Sequence, residues 1–223
     1  MIFKNLSVLN RMYHLSQKVY KFDTDSQFDS CQIDFSEIKT GKDKNGITFY
    51  QNLLLGNFEG VQFPIGFLAK RLKIFPDILG TYTVSLFLVS QKFKDLCEAN
   101  YLTGITFFDV NIVSKATQVL PKYYGLAVSG RAGKIHFDES EIIRKKYSEG
   151  APDVVLYKGI YFDESLWDGS DFFLLENYFG INVSEKAVKV LQSAALTNLR
   201  FNPLEDIEFP EEGVEVYLRK YRK

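Results

Sequence analysis

Gly130-Arg131-Ala132-Gly133-Lys134 is the first stretch whose residue types and spacing suggest chemistry. A glycine-rich turn ending in lysine suits phosphate. A Walker loop, however, needs glycine where Val128 stands, and Ile135 takes the place of the hydroxyl residue that would hold magnesium. The segment reads better as a turn between a strand ending at Ser129 and another at Lys134–Phe137. Thiolate catalysis would need Cys31 or Cys97 beside His14 or His136. Cys97 falls on the apolar face of a helix and reads as a small buried hydrophobe. Cys31 lies in the polar run Asp29–Asp34, with nothing nearby to depress its pKa. Two cysteines and two histidines without a close-spaced pair do not make a zinc site. Neither a metal nor a cofactor is expected, and no catalytic set is assigned.

Carboxylates are the remaining chemical stock, in two clusters. Asp163, Glu164, Asp168 and Asp171 bracket Trp167, the chain's one tryptophan. Glu205, Asp206, Glu208, Glu211, Glu212 and Glu215 crowd the segment before the C-terminus. Three uses are open on residue type alone. A carboxylate pair could serve glycoside-type hydrolysis, which depends on a separation only three dimensions reveal. The acids could be solvated loop and edge residues. Or Trp167, Asp163, Glu164, Asp168 and Asp171, with Glu205, Asp206, Glu208, Glu211 and Glu212, could form a surface for a basic protein partner, an aromatic anchor with steering charge around it.

The elements that position these residues follow from composition and pattern. The chain has 223 residues, of which 46% are hydrophobic and 25% charged, so it has ample material for a core and is neither disordered nor a coiled coil. With 27 basic against 28 acidic side chains the net charge is −1, which removes the electrostatic case for a nucleic-acid binder. No secretory h-region is expected at Met1–Lys18, and apolar runs such as Val84–Val89 are too short to span a bilayer. A cytoplasmic protein that uses no membrane is the expectation, with oligomeric state left open.

Runs rich in β-branched and aromatic residues predict strands at Met12–Leu15, Ile47–Leu55, Tyr82–Val89, Ile105–Val113, Tyr123–Ser129, Val154–Tyr161, Tyr178–Val183, Leu199–Phe201 and Val214–Leu218. Thr40–Gly46 reads as a turn. Helical spacing predicts a helix over Glu139–Tyr147, N-capped by Asp138 or Ser140. An internal repeat is the most informative pattern: Val89–Phe107 aligns without a gap on Val183–Phe201, 94 residues on, with six identities in nineteen positions. Each copy has a strand, a serine N-cap (Ser90, Ser184), an apolar triplet (Phe93, Leu96, Cys97; Ala187, Val190, Leu191), a left-handed cap (Gly104, Asn198) and a second strand. The predicted fold is α+β, mostly β with a few short helices, containing two related strand–helix–strand units. The halves 1–120 and 121–223, one unit in each, are expected to pack together as one compact body.

Gly169-Ser170-Asp171-Phe172-Phe173, Val183-Ser184-Glu185-Lys186 and Leu196–Leu204, with the upstream stretch Tyr123–Ser140, resemble a family of bacterial immunity proteins from polymorphic toxin systems, first catalogued as a domain of unknown function. The resemblance covers Pro121–Leu204; Asn198 stands where the family has glycine. It implies a cytoplasmic protein that binds and neutralises a cognate toxin, and it carries over no catalytic residue. Three functions compete on the sequence: an immunity protein acting by stoichiometric binding, a carboxylate-dependent hydrolase, and a structural or regulatory interaction module.

Overall fold

The computed structural model describes residues 17–25, 33–35, 47–69, 75–81, 85–114 and 120–219. In chain order the strands and helices are β1 (Val19–Asp23), β2 (Ile33–Phe35), α1 (Phe49–Leu55), β3 (Ile65–Ala69), β4 (Ile78–Gly80), β5 (Phe87–Ser90), α2 (Gln91–Ala99), β6 (Ile105–Ser114), β7 (Tyr123–Val128), β8 (Gly130–Arg131), β9 (Glu141–Lys145), β10 (Val154–Lys158), β11 (Phe172–Leu174), β12 (Ile181–Ser184), α3 (Glu185–Ser193), β13 (Arg200–Pro203), β14 (Glu208–Pro210) and α4 (Glu211–Arg219). The fold is α+β, dominated by strands. Among the described residues they form three sheets, in the orders β13-β1-β12-β11-β8, β2-β3-β6-β7-β5-β4 and β14-β10-β9.

The strand–helix–strand segments β5-α2-β6 and β12-α3-β13 have corresponding pairings. Ile78 of β4 faces Val89 of β5, and Phe172 of β11 faces Val183 of β12, each partner 94 residues from its counterpart. Each segment then takes a central strand from the other half of the chain. β7 lies between β5 and β6, with Tyr124 facing both Val89 and Asp109. β1 lies between β12 and β13, with Tyr20 facing both Val183 and Pro203. Strands from the first and last quarters of the chain therefore share one sheet.

Helices α2 and α3 cover the largest core cluster, in which Phe93 and Cys97 from α2 and Ala187, Val188 and Leu191 from α3 meet Phe22, Leu126, Phe172 and Val183. Much of the phenylalanine excess ends up here. The Phe22 ring meets those of Phe87, Phe93, Phe172 and Phe201 at centroid distances of 5.3 to 6.1 Å, tilted or edge-on, geometry that suits aromatic quadrupoles. A second cluster, around Phe137, Ile160, Phe162 and Phe173, underlies the acidic segments. Cys97 is buried, and burial first, then the charges of Glu98 and Asp171, push its thiol up to about 12.

Several elements differ from the sequence expectation. Ile47–Leu55 is not a strand: Thr48 caps α1, accepting from the Gln51 amide at 3.3 Å while the Gln51 side chain accepts from the Thr48 amide at 2.9 Å. This reciprocal box satisfies two orphan donors, and Gly56 (φ 76) ends the helix. Val214–Leu218 belongs to α4, with Glu211 and Glu212 in its first turn and Val214 buried. Glu139–Tyr147 is not an α-helix. Ile142 and Ile143 sit in β9, paired with Tyr157 and Leu156, because β-branched residues favour a pleated neighbour over an isolated helix. Lys134–Phe137 contributes a single bridge, from Ile135 to Phe162, ahead of a 3-10 turn. The expected strand Met12–Leu15, the turn Thr40–Gly46 and Cys31 lie outside the described residues.

Candidate partner-binding surface

The segment around Trp167 is built from its own hydrogen bonds. Asp163 caps a short 3-10 turn, its side chain accepting from the Ser165 amide at 2.9 Å. Trp167 leaves that turn half-buried, with its ring 4.8 Å from Phe173 and 6.5 Å from Phe162 and its Nε1–H donating to the Ser170 carbonyl at 3.2 Å. The indole thus serves the second core cluster on one side and meets solvent on the other. Asp168 is exposed yet committed. It accepts from the Arg131 amide at 2.8 Å, from the Ser170 amide at 3.0 Å and from the Ser170 hydroxyl. Burial works to raise the Asp168 carboxyl; the Ser170 and Arg131 donors outweigh it and hold the group below its usual value.

Asp171 is only 5% exposed and is the best-connected carboxylate of the segment. It accepts from the hydroxyl of Ser184, the N-cap of α3, at 2.9 Å and from Lys186 at 2.9 Å. It also accepts from the amide and hydroxyl of Thr103, just beyond α2, at 3.0 and 3.2 Å. A second carboxylate mirrors this arrangement. Asp77 accepts from the hydroxyl of Ser90, the N-cap of α2, at 2.6 Å, and from the amide and hydroxyl of Thr197, just beyond α3, at 2.9 and 3.0 Å. Each aspartate therefore ties the start of one helix to the end of the other. Burial works to raise both carboxyls. For Asp77 the Ser90 and Thr197 donors with the Lys92 charge prevail, and for Asp171 Lys186, Thr103 and Ser184 do, so both titrate below the ordinary range.

Ser90 accepts from the Phe93 amide and Ser184 from the Ala187 amide, both at 3.2 Å. Gly104 (φ 79) and Asn198 (φ 57) are left-handed but do not end the helices. Those ends come earlier, at Asn100 and Ala194, and Gly104 and Asn198 instead shape the turn into the following strand. The physical need there is close approach. A Cβ on Gly104 would stand 2.0 Å from the Phe172 carbonyl oxygen, while Asn198 uses its side chain to donate to the Ile78 carbonyl at 2.7 Å.

The C-terminal acids form a separate, exposed group. Glu205 and Asp206 sit on a 3-10 turn and Glu208 on β14; Lys158 lies 3.3 Å from Asp206, and Lys145 2.6 Å from Glu208. Glu211 and Glu212 open α4, where negative charge suits the helix dipole. Sequence reasoning missed Asp77 and Thr197 as members of one network, and Thr103 and Lys186 as members of its counterpart around Asp171. A signal was present: Asp77 precedes Asp171 by the same 94 residues that separate the aligned segments, and lies just upstream of the first of them.

Residues 26–206 match the immunity protein family (Imm11). The chain belongs to this immunity protein family. The match reaches well beyond Pro121–Leu204 and takes in β2 through β7 as well as the Trp167 segment. No curated protein matches the chain. Among the described residues, no helix of this immunity-family protein is long and apolar enough to cross a membrane.

Proposed function

We propose that the chain protects its producer by stoichiometric binding of a cognate toxin of a polymorphic system, without catalysis, in the cytoplasm. Membership of the immunity family is the observation that carries this reading. A buried free thiol at Cys97 suits a reducing compartment. Asp168 and Asp171, committed to the donors around them and held below their usual value, do not suit the general-acid role in a carboxylate hydrolase. The contact is assigned to the Trp167 segment, to the acidic stretch Glu205–Glu212, or to both. The accessible carboxylates of the second patch supply steering charge toward a basic surface.

The same proposal includes the internal repeat. The two strand–helix–strand segments are read as related units, with β1 and β7 exchanged so that residues 1–120 and 121–223 act as one body. The matched registers and the paired aspartates support it. Co-expression with the toxin domain of a neighbouring gene tests the function. Wild type should rescue growth and co-purify with the toxin at one to one. Reversal of Glu205, Asp206 and Glu208 to Lys should weaken rescue while leaving the thermal melt near wild type. Hydrolysis of the toxin or its substrate by the protein alone would sink the binding-only reading.

A further inference from the structure

Tyr101 is 84% exposed, and its backbone is left-handed at φ 50. Left-handed backbone crowds any Cβ, and a bulky residue there is an outlier. The local structure explains the backbone but not the side chain. At the end of α2 the Asn100 and Tyr101 amides donate back to the Leu96 and Glu98 carbonyls, at 3.2 and 3.1 Å. At the end of α3 the Ala194 and Ala195 amides donate back to Leu191 and Gln192, both at 3.4 Å, with Ala195 at φ 47. The second turn shows that this helix ending needs a left-handed residue and no aromatic ring. Glycine is the residue that takes this conformation without strain. A tyrosine here adds strain and leaves most of its ring in water, and packing among the described residues gives no reason for it. A contact outside the chain would offset that cost.

We propose that Tyr101 anchors the surface through which this protein engages its toxin, an inference that rests on the binding function proposed above. The turn is also joined to the Trp167 segment, since Phe172 donates to the Thr103 carbonyl at 3.0 Å and Thr103 holds Asp171. Charge on the flanking helices is paired or balanced. Lys94 meets Glu98 at 2.6 Å, Lys186 meets Asp171 at 2.9 Å and Lys189 meets Glu185 at 3.0 Å, while Lys92 and Asp95 have opposite signs. The surface that fits such an anchor is an uncharged recess on a folded protein, with one polar group for the phenol hydroxyl. Binding through it should depend weakly on salt, unlike binding through the acidic patches.

The test uses the purified full chain and the purified toxin domain encoded beside it, with calorimetry at low and high salt and a thermal melt of each variant. Tyr101→Gly should weaken binding by roughly 30-fold or more, a hot-spot loss, while melting at or above wild type. Tyr101→Phe should lose less, and Ala195→Tyr should bind as wild type does. Wild-type affinity in Tyr101→Gly overturns the anchor and leaves the binding function standing. A large fall in its melting temperature also overturns it, because the ring would then serve the fold. A wild-type protein that does not bind the domain overturns the function and the anchor together.

Discussion

Thr103-Gly104 and Thr197-Asn198 show how one residue can answer to a partner far along the chain. Gly104 lacks a side chain because the Phe172 carbonyl occupies the space a Cβ would fill, and its φ of 79 compounds the restriction. Gly104→Ala should therefore destabilise the protein by about 3 kcal/mol, combining left-handed strain with a backbone clash. A urea titration measures this, and an unchanged midpoint would show that β11 can move aside. The apolar triplets of both helices were legible from spacing alone, because a helical face is a local property. The reason for Gly104 was not, since the atom that excludes a side chain lies 68 residues away, at Phe172.

At the level of elements, caps and pairing partners divide the work. Ser90 and Ser184 each satisfy an orphan amide of their helix, and each also donates to an aspartate. Replacing either serine with alanine should cost about 1 kcal/mol for the cap. Ser184→Ala should cost more than Ser90→Ala, because Asp171 is buried whereas Asp77 is only partly so. Paired thermal melts check the order, and equal melting of both variants with wild type would remove the capping argument. The misread elements have a common cause. Short apolar runs such as Ile47–Leu55 and Val214–Leu218 suit helix or strand by composition. What separated them was a capping box at Thr48 and Gln51 in the first, and in the second Pro210 followed by Glu211 and Glu212.

Across the whole molecule, Asp77 and Asp171 join elements drawn from both halves of the chain, so their ionisation is coupled to the integrity of the entire fold. Both carboxyls are depressed in the folded protein, so the unfolded chain binds protons more readily. Their contribution is complete well above the unfolded value of about 3.9 and fades as the pH drops through the lower folded values. Urea titrations of wild type and Asp171→Asn at neutral pH and then from about pH 5 downward should show a gap that narrows with acid. A gap constant with pH would place the stabilisation outside the charge of Asp171. By itself the sequence determined the fold class, both serine-capped helices, most of the central strands and the immunity-family resemblance, because periodicity, caps and short motifs are written within a few residues of one another. Only the tertiary structure decided that β1 and β7 each lie among strands of the other half of the chain, that Trp167 shares its ring with the core, and that Asp171 is buried and holds two helices together. The pairing of β1 with β12 and the hold of Asp171 on Thr103 depend on contacts between residues many tens of positions apart, and all these outcomes follow from which buried faces and unpaired strand edges fit together, a choice no local pattern records.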